Sequence, residues 1–468
     1  MKQVAFSFDA AACTGCEACV VACALENDLD GNGLSNESWR HVATFNAARE
    51  PDLPVAHLSI ACNHCEDPPC ASACPALAYE KDPNNGIVTL HADRCIGCRY
   101  CSWACPYDAP RFSEERGVMT KCTFCSHRQA EGLQPACVEQ CPTGALGFGV
   151  LNELEGVPNA LGMPTLDPGP SIRFTTGREK APETAFSQEA PAENLTVAPS
   201  SAPVSSPVPV PKKIQLRSEW PLVGFTMLAA WLVSSQAANA FGKSLLPPWL
   251  FAGLALVSLV LSSLHLGQKL RAWRAILNIR RSWLSREIAF YSTFVGLSFA
   301  QVLVLTDSRP LIWASAVVGM AALFAIDRVY DIVRQSAWYR KIHSADVVLM
   351  PFIIVGVWLE AWAPLLLVGA IKLFLYLRRK LADSWKRPGL IALRLTCGFL
   401  LPLGAIWLGS TYWPLWVLAS TLIGDLVDRC EFYDGLVVPT PRGEMLRTAS
   451  MRSARSFNAA PTAVIASS

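Results

Sequence analysis

The chain has 468 residues and a formal net charge of +2, from 40 Lys and Arg against 38 Asp and Glu. That balance excludes a protein built to bind a polyanion through bulk charge, and the length allows two or three domains. The average hides two unlike halves: residues 1–150 hold 16 of the 18 cysteines, and residues 220–430 hold 13 of the 15 tryptophans together with the long apolar runs.

Taken in chain order, Met1 to Cys16 has no apolar targeting run and no twin-arginine pair. The first half is therefore expected in the reducing cytoplasm, where thiolates persist as ligands. Short β-like pieces, Val4–Phe8 and Ile87–Leu90, lie among the cysteine groups, and Gly, Asp and Pro punctuate them as in a small loop-rich fold over residues 1–150.

The cysteines fall into four quartets: Cys13, Cys16, Cys19, Cys23; Cys62, Cys65, Cys70, Cys74; Cys95, Cys98, Cys101, Cys105; and Cys122, Cys125, Cys137, Cys141. The first and third have the C-x2-C-x2-C-x3-C spacing of bacterial ferredoxins, and Pro75, Pro106 and Pro142 each follow a final cysteine. In such runs three thiolates grip one iron cube and the fourth reaches a neighbouring one. Structural zinc also uses paired C-x2-C, but it needs neither the third cysteine two residues on nor the Cys-Pro ending. Four thiolates per cube give four [4Fe–4S] clusters. Cys397 and Cys430 lie in apolar segments and read as small buried side chains.

Residues 151–219 are less regular, and Ser187–Lys213, rich in Pro, Ala, Ser and Val, reads as an extended linker. From Trp220 the pattern changes to helices of membrane length. Spans are expected near 221–241, 248–266, 288–306, 310–326, 346–361, 364–377, 390–409 and 413–428, with the fifth and sixth either a tight hairpin at Glu360 and Pro364 or one long helix. The membrane region thus covers 220–435, and 436–468 reads as a disordered tail. Eighteen Lys and Arg fall in the loops on one side of these spans, against only Lys243 and Arg309 on the other. The positive-inside rule then places the N-terminus, and the cluster domain, in the cytoplasm at the inner membrane. Lys372 is expected to snorkel, and Asp425, Asp428 and Glu431 to pair with Arg429 or basic loops in a structural role facing the clusters.

The stretches CTGCEACVVAC, SIACNHCEDPPC, CIGCRYCSWACPYDAPRF and MTKCTFC…CVEQCPTGAL resemble the four-cluster iron–sulfur subunit of the dimethyl sulfoxide reductase family. SSLHLGQKLRAWRAILNIRRSWLSREI and GDLVDRCEFYDG resemble the anchor subunit of the same family, a separate chain there. The resemblance implies an α+β ferredoxin-like double module followed by an all-α polytopic membrane bundle of about eight helices. It also implies four ligand sets: Cys13, Cys16, Cys19 and Cys141; Cys23, Cys122, Cys125 and Cys137; Cys62, Cys65, Cys70 and Cys105; and Cys74, Cys95, Cys98 and Cys101.

His265 ends the second expected span and Glu287 opens the third on the same side, so a hairpin can bring them together. Taken alone, both read as interfacial residues. The matching His and Glu of the anchor family are associated with quinol binding, and ionisable groups in spans are functional candidates by default. The expected role is therefore an electron-transfer and anchor subunit of a quinone-linked oxidoreductase. It would carry electrons from quinol through four clusters to a molybdopterin catalytic subunit that reduces dimethyl sulfoxide or a related S- or N-oxide in anaerobic respiration. The substrate-converting site is expected on that other chain. The alternatives are the same line run in reverse, from a cytoplasmic sulfite dehydrogenase to quinone, and a membrane redox sensor without a catalytic partner.

Overall fold

The computed structural model describes residues 2–29, 38–45, 56–158, 168–175, 214–303, 308–332, 342–382, 387–409, 412–436, 438 and 440. The Ser187–Lys213 linker and most of the expected tail lie outside the described residues.

The cysteine-rich half is built from short elements: β1 (Val4–Asp9), α1 (Ala18–Glu26), β2 (His41–Phe45), β3 (Ala56–Ile60), α2 (Pro69–Ala73), β4 (Tyr79–Lys81), β5 (Val88–Leu90), α3 (Tyr100–Ala104), β6 (Arg111–Ser113), β7 (Val118–Thr120), α4 (Ser126–Ala130), α5 (Ala136–Glu139), β8 (Leu146–Val150) and β9 (Ile172–Thr175). β1 is the centre of a three-stranded sheet, antiparallel to β8 with Val4 opposite Val150, and parallel to β9 with Phe6 opposite Ile172. Its period-2 pattern points Phe6 and Phe8 into the core. β9 comes from the segment expected as an extension and returns to this sheet. The other strands pair as three hairpins, β2–β3, β4–β5 and β6–β7.

The second half is helical: α6 (Leu216–Ala240), α7 (Pro248–Ser263), α8 (Trp283–Leu303), α9 (Arg309–Val329), α10 (Met350–Trp358), α11 (Trp362–Ala382), α12 (Pro388–Leu395), α13 (Leu401–Leu408) and α14 (Trp413–Gly435). α12 and α13 run on through a widened turn at Thr396–Leu400. The choice left open at 346–377 is settled by a turn. Glu360 has φ 53, in the left-handed region, and the Ala361 amide closes on the Gly356 carbonyl at 2.9 Å, so α10 and α11 form a hairpin. Phe225, Tyr291, Phe294, Ile326 and Val357 meet in the bundle core.

Among the described residues, Glu219–Ala240, Arg309–Ile332 and Pro388–Leu408 are long and apolar enough to cross a bilayer, while Pro248–Ser263 and Val347–Trp358 are apolar but shorter. α8, α11 and α14 are long enough but carry charge. On α14 that charge corrects one expectation and part of another. Lys372 does not snorkel: it is 2% exposed and its Nζ lies 2.8 Å from Asp425. Asp428 and Glu431 pair with cations of the basic segment expected after the sixth span rather than with Arg429, while Asp425 pairs inside the bundle. Arg394 lies 3.0 Å from Asp425, Arg379 lies 3.0 Å from Asp428 and 3.1 Å from Glu431, and Lys380 lies 2.8 Å from Glu431. The helical period explains this: residues 425 and 428 share the face toward α11 and α12. Arg429 lies one step round the helix and faces Asp327 on α9 at 3.6 Å.

Candidate iron–sulfur and quinol sites

The four C-x2-C turns share one backbone device. The residue before the second cysteine has positive φ in every quartet: Gly15 (69), His64 (40), Gly97 (70) and Phe124 (56). That curl folds each loop so that its thiols converge. The short helices then divide their cysteines between sites. Cys70 on α2 and Cys105 after α3 line one cavity with Cys62 and Cys65. Cys74 after α2 and Cys101 on α3 line another with Cys95 and Cys98. α1 and α5 repeat the exchange: Cys19 and Cys141 line a third cavity with Cys13 and Cys16. Cys23 lies beside Cys125 and Cys137, Cys122 beside Cys23 and Cys137, and the Asn27 amide nitrogen is 4.0 Å from both the Cys23 and Cys125 sulfurs.

The donor set suits iron–sulfur cubes. Among the described residues, no group of three or more His, Cys, Asp or Glu is placed to hold a lone metal ion. The thiols are spread around cavities instead. Backbone amides of Ala78 and Gly97 reach Cys74 and Cys95 sulfurs at 3.4 Å, and the Phe124 amide reaches Cys122 at 3.4 Å. Such bonds stabilise cluster sulfur and tune potential. Burial pushes the Cys23 thiol up to about 12, and those of Cys65, Cys70 and Cys98 higher still. Thiols so buried ionise readily only against a cationic core, which iron supplies. Arg40 and Lys121, both buried, add positive charge close to Cys19 and Cys70 respectively.

The membrane half meets this domain through the basic stretch after α7. Gly267 and Gln268 amides bond the Gly97 and Ile96 carbonyls at 3.4 and 3.1 Å. A Cβ on Gly267 would collide with the Gly117 carbonyl oxygen, so the contact requires glycine. Arg271 donates to the Ala92 carbonyl at 2.8 Å, Asn278 to the Cys74 carbonyl at 2.9 Å and Ser282 to the Ala73 carbonyl at 2.8 Å. At least one cation of this stretch, Arg271, thus serves docking.

The joint encloses a cavity of about 430 Å3, in the size range of small-molecule sites. His265 and Glu287 both line it, with Tyr291 and Tyr330 beside them and Cys98, Tyr100 and Trp103 on the cluster-domain wall. The hairpin therefore brings the two candidates to one space. Among the described residues the His265 Nδ1 is buried there without a hydrogen-bond partner, and Glu287 is buried. Cys98 lines both this cavity and the small one of its own quartet. The aromatic residues of the wall were missed in the sequence, because nothing in the local pattern of Tyr100, Trp103 or Tyr330 marks them as cavity-facing.

Residues 54–151 match the family model described as a 4Fe-4S dicluster domain, and residues 217–371 match that of the DMSO reductase anchor subunit (DmsC). Together with the thiol-lined cavities and the apolar bundle, these matches define a membrane-anchored iron–sulfur electron-transfer protein. Over 160 residues the sequence is 43% identical to the B component of the anaerobic dimethyl sulfoxide reductase of Escherichia coli (strain K12), covering 32% of this chain and 76% of that one. It is 41% identical over 181 residues to YnfG, a probable anaerobic dimethyl sulfoxide reductase component of the same organism, covering 37% and 85%. It is also 37% identical over 170 residues to the B component of the sulfite dehydrogenase of Allochromatium vinosum, covering 33% and 71%. This protein belongs to the dimethyl sulfoxide reductase family, with the iron–sulfur and anchor subunits fused in one polypeptide.

Proposed function

We propose that this protein oxidises quinol in the cavity between its two halves and carries the electrons to a molybdopterin catalytic subunit that reduces dimethyl sulfoxide or a related S- or N-oxide. One observation carries the reading: a cavity with a buried carboxylate and an imidazole nitrogen that no described residue pairs shares Cys98 with a cysteine quartet. The sixteen cysteines would hold four [4Fe–4S] clusters, three in the sets that line small cavities and the fourth between Cys23, Cys122, Cys125 and Cys137. Bound there, the clusters supply one-electron conduction across the domain. His265, as neutral imidazole, accepts a hydrogen bond from a quinol hydroxyl and orients the ring, and the Glu287 carboxylate takes up the released proton. Tyr100 and Trp103 close the cluster-domain side of the cavity.

The bundle would cross the membrane eight times, with residues 1–150 as the cluster domain, 151–219 an extension and linker, 220–435 the anchor and 436–468 a tail. The cluster domain would lie in the cytoplasm. Apolar side chains such as Leu303, Leu367, Trp407 and Leu408 stand outward on the bundle, as lipid contact requires. With both sites on the cytoplasmic face, quinol protons are released where the reduction consumes them, and turnover moves no net charge.

The sulfite dehydrogenase relative favours a second reading, electrons running from a sulfite-oxidising partner into quinone. The complex purified with its native partner should turn over dimethyl sulfoxide with a short-chain naphthoquinol and fail to reduce a naphthoquinone with sulfite. In vesicles the naphthoquinol reaction should leave the membrane potential flat. Sulfite-driven quinone reduction would establish the reverse current, and a generated potential would overturn the sidedness.

A further inference from the structure

A membrane quinol is a polar ring on a long isoprenoid tail. The cavity of about 430 Å3 between the two halves has room for the ring, and the tail must leave it on a side that faces lipid. The cluster-domain wall is not that side. Tyr100 and Trp103 are buried there, and the Tyr100 hydroxyl is tied to the Val329 carbonyl at 2.8 Å. Exposed lining residues stand elsewhere: Trp273 and Ile276 on the basic stretch after α7, and Ser292 on α8. The cavity is therefore open beside α8.

From that opening a groove runs on between α7 and α8. The two helices are tied where the Ser258 and Tyr291 hydroxyls meet at 2.6 Å, and both residues are buried. On α8, Ser292 leads one turn further to Gly296, which is exposed and has nothing within 4 Å of the place a Cβ would take. On α7, the lining residue Leu259 leads one turn back to Leu256, 56% exposed. Counting from the Ser258–Tyr291 bond along the antiparallel pair places Leu256 level with residues 292–296. α8 begins at Trp283, so Ser292 and Gly296 lie roughly 14 and 20 Å along it, at hydrocarbon depth in the proposed anchor. α7 has no charged residue, and α8 has none after Glu287, so the groove suits an uncharged chain and not a headgroup.

We infer that the isoprenoid tail leaves the cavity past Ser292 and lies between α7 and α8 against Leu256 and Gly296, so that this groove sets a preference for tailed quinols. The inference rests on assigning the cavity to quinol, and it adds where that substrate meets the bilayer. The small residues on α8 leave room for the chain, and Leu256 gives it apolar contact. Trp273 and Ile276 form the rim of the opening, where the ring enters. A quinol without a tail gains nothing from the groove.

The test uses the complex with its native partner in liposomes and two naphthoquinols, one with a long isoprenoid tail and one with a methyl group in its place. Preference is read as the ratio of their kcat/KM values in the same preparation, so the amount of folded protein cancels. Gly296→Phe fills the groove where the structure has open space, and phenylalanine is tolerated in a helix better than glycine. It should lower the preference for the tailed quinol about tenfold. Gly404→Phe, at an equally open glycine on α13, should leave the ratio within about twofold. A photoreactive group on the tail should label α7 or α8 in the wild type. His265→Ala is the site control and should lose both activities. If it does, and Gly296→Phe keeps the wild-type ratio, or Gly404→Phe lowers it as much, or the label falls only on other helices, the site stands and the tail groove is overturned. If His265→Ala oxidises both quinols normally, the cavity assignment falls and the groove with it.

Discussion

Cys98→Ala should abolish naphthoquinol-driven reduction while sparing reduction driven by a viologen dye that delivers electrons to the catalytic partner directly. Cys98 is the thiol shared by the large cavity and the quartet of Cys74, Cys95 and Cys101. Removing it takes a ligand from the entry point of the proposed line, and among the described residues no second quartet lines that cavity. The expected loss is on the order of 100-fold or more, about 2.7 kcal/mol or greater in activation free energy. Cys16 sits at the other end and is exposed. Cys16→Ala should impair exchange with the catalytic partner and leave reduction of the cavity-side cluster by naphthoquinol intact, as followed by electron paramagnetic resonance. Equal loss of dye-driven and quinol-driven activity in Cys98→Ala would show that the thiol serves folding alone.

Asp425→Ala should be the most destabilising single change in the membrane half. Its carboxylate meets Lys372 at 2.8 Å and Arg394 at 3.0 Å, with the two cations 2% and 1% exposed. Truncating Asp425 leaves Lys372 buried without its counter-ion and leaves Arg394 with Asp428, at 3.4 Å, among the described residues. Breaking a buried pair from one side costs about 3–5 kcal/mol, because the stranded charge keeps its desolvation penalty. Replacing both partners, Lys372→Met with Asp425→Leu, removes the stranded charge and should recover most of the loss. Thermal unfolding in detergent reads the difference: the single variant should melt well below the double one. A single variant as stable as wild type would mean that water reaches this network freely.

Much of the cluster domain was legible because its chemistry is local. A C-x2-C turn must curl, so Gly15 and Gly97 stand where φ is 69 and 70. A Cys-Pro ending follows α2, α3 and α5, after a cysteine that lines the neighbouring site. The helical pattern also located α6 to α14, although α14 runs on to Gly435, past the expected end at 428. The partners of charged residues were not legible. Lys372 reads as a snorkelling side chain until α14 is packed against α11, and Arg429 and Asp428 are neighbours in sequence that face different helices. The proposed quinol cavity was half legible: His265 and Glu287 flank a basic stretch in the sequence, yet the space between them depends on Gly267 letting that stretch lie against Gly97 and Gly117. No periodicity encodes a backbone-to-backbone contact of that kind. α8 and α14 are less apolar than a lone membrane span for a related reason: Glu287 and Gln301 on one, and Asp425 and Asp428 on the other, are turned inward, where other side chains rather than lipid surround them.

Everything proposed for this protein depends on its sixteen clustered thiols holding iron and inorganic sulfide. Anaerobic elemental analysis of the purified full-length chain tests that directly. The account requires about sixteen irons and as many acid-labile sulfides per polypeptide, with no stoichiometric zinc. Zinc in place of iron, or only a few irons, would contradict it.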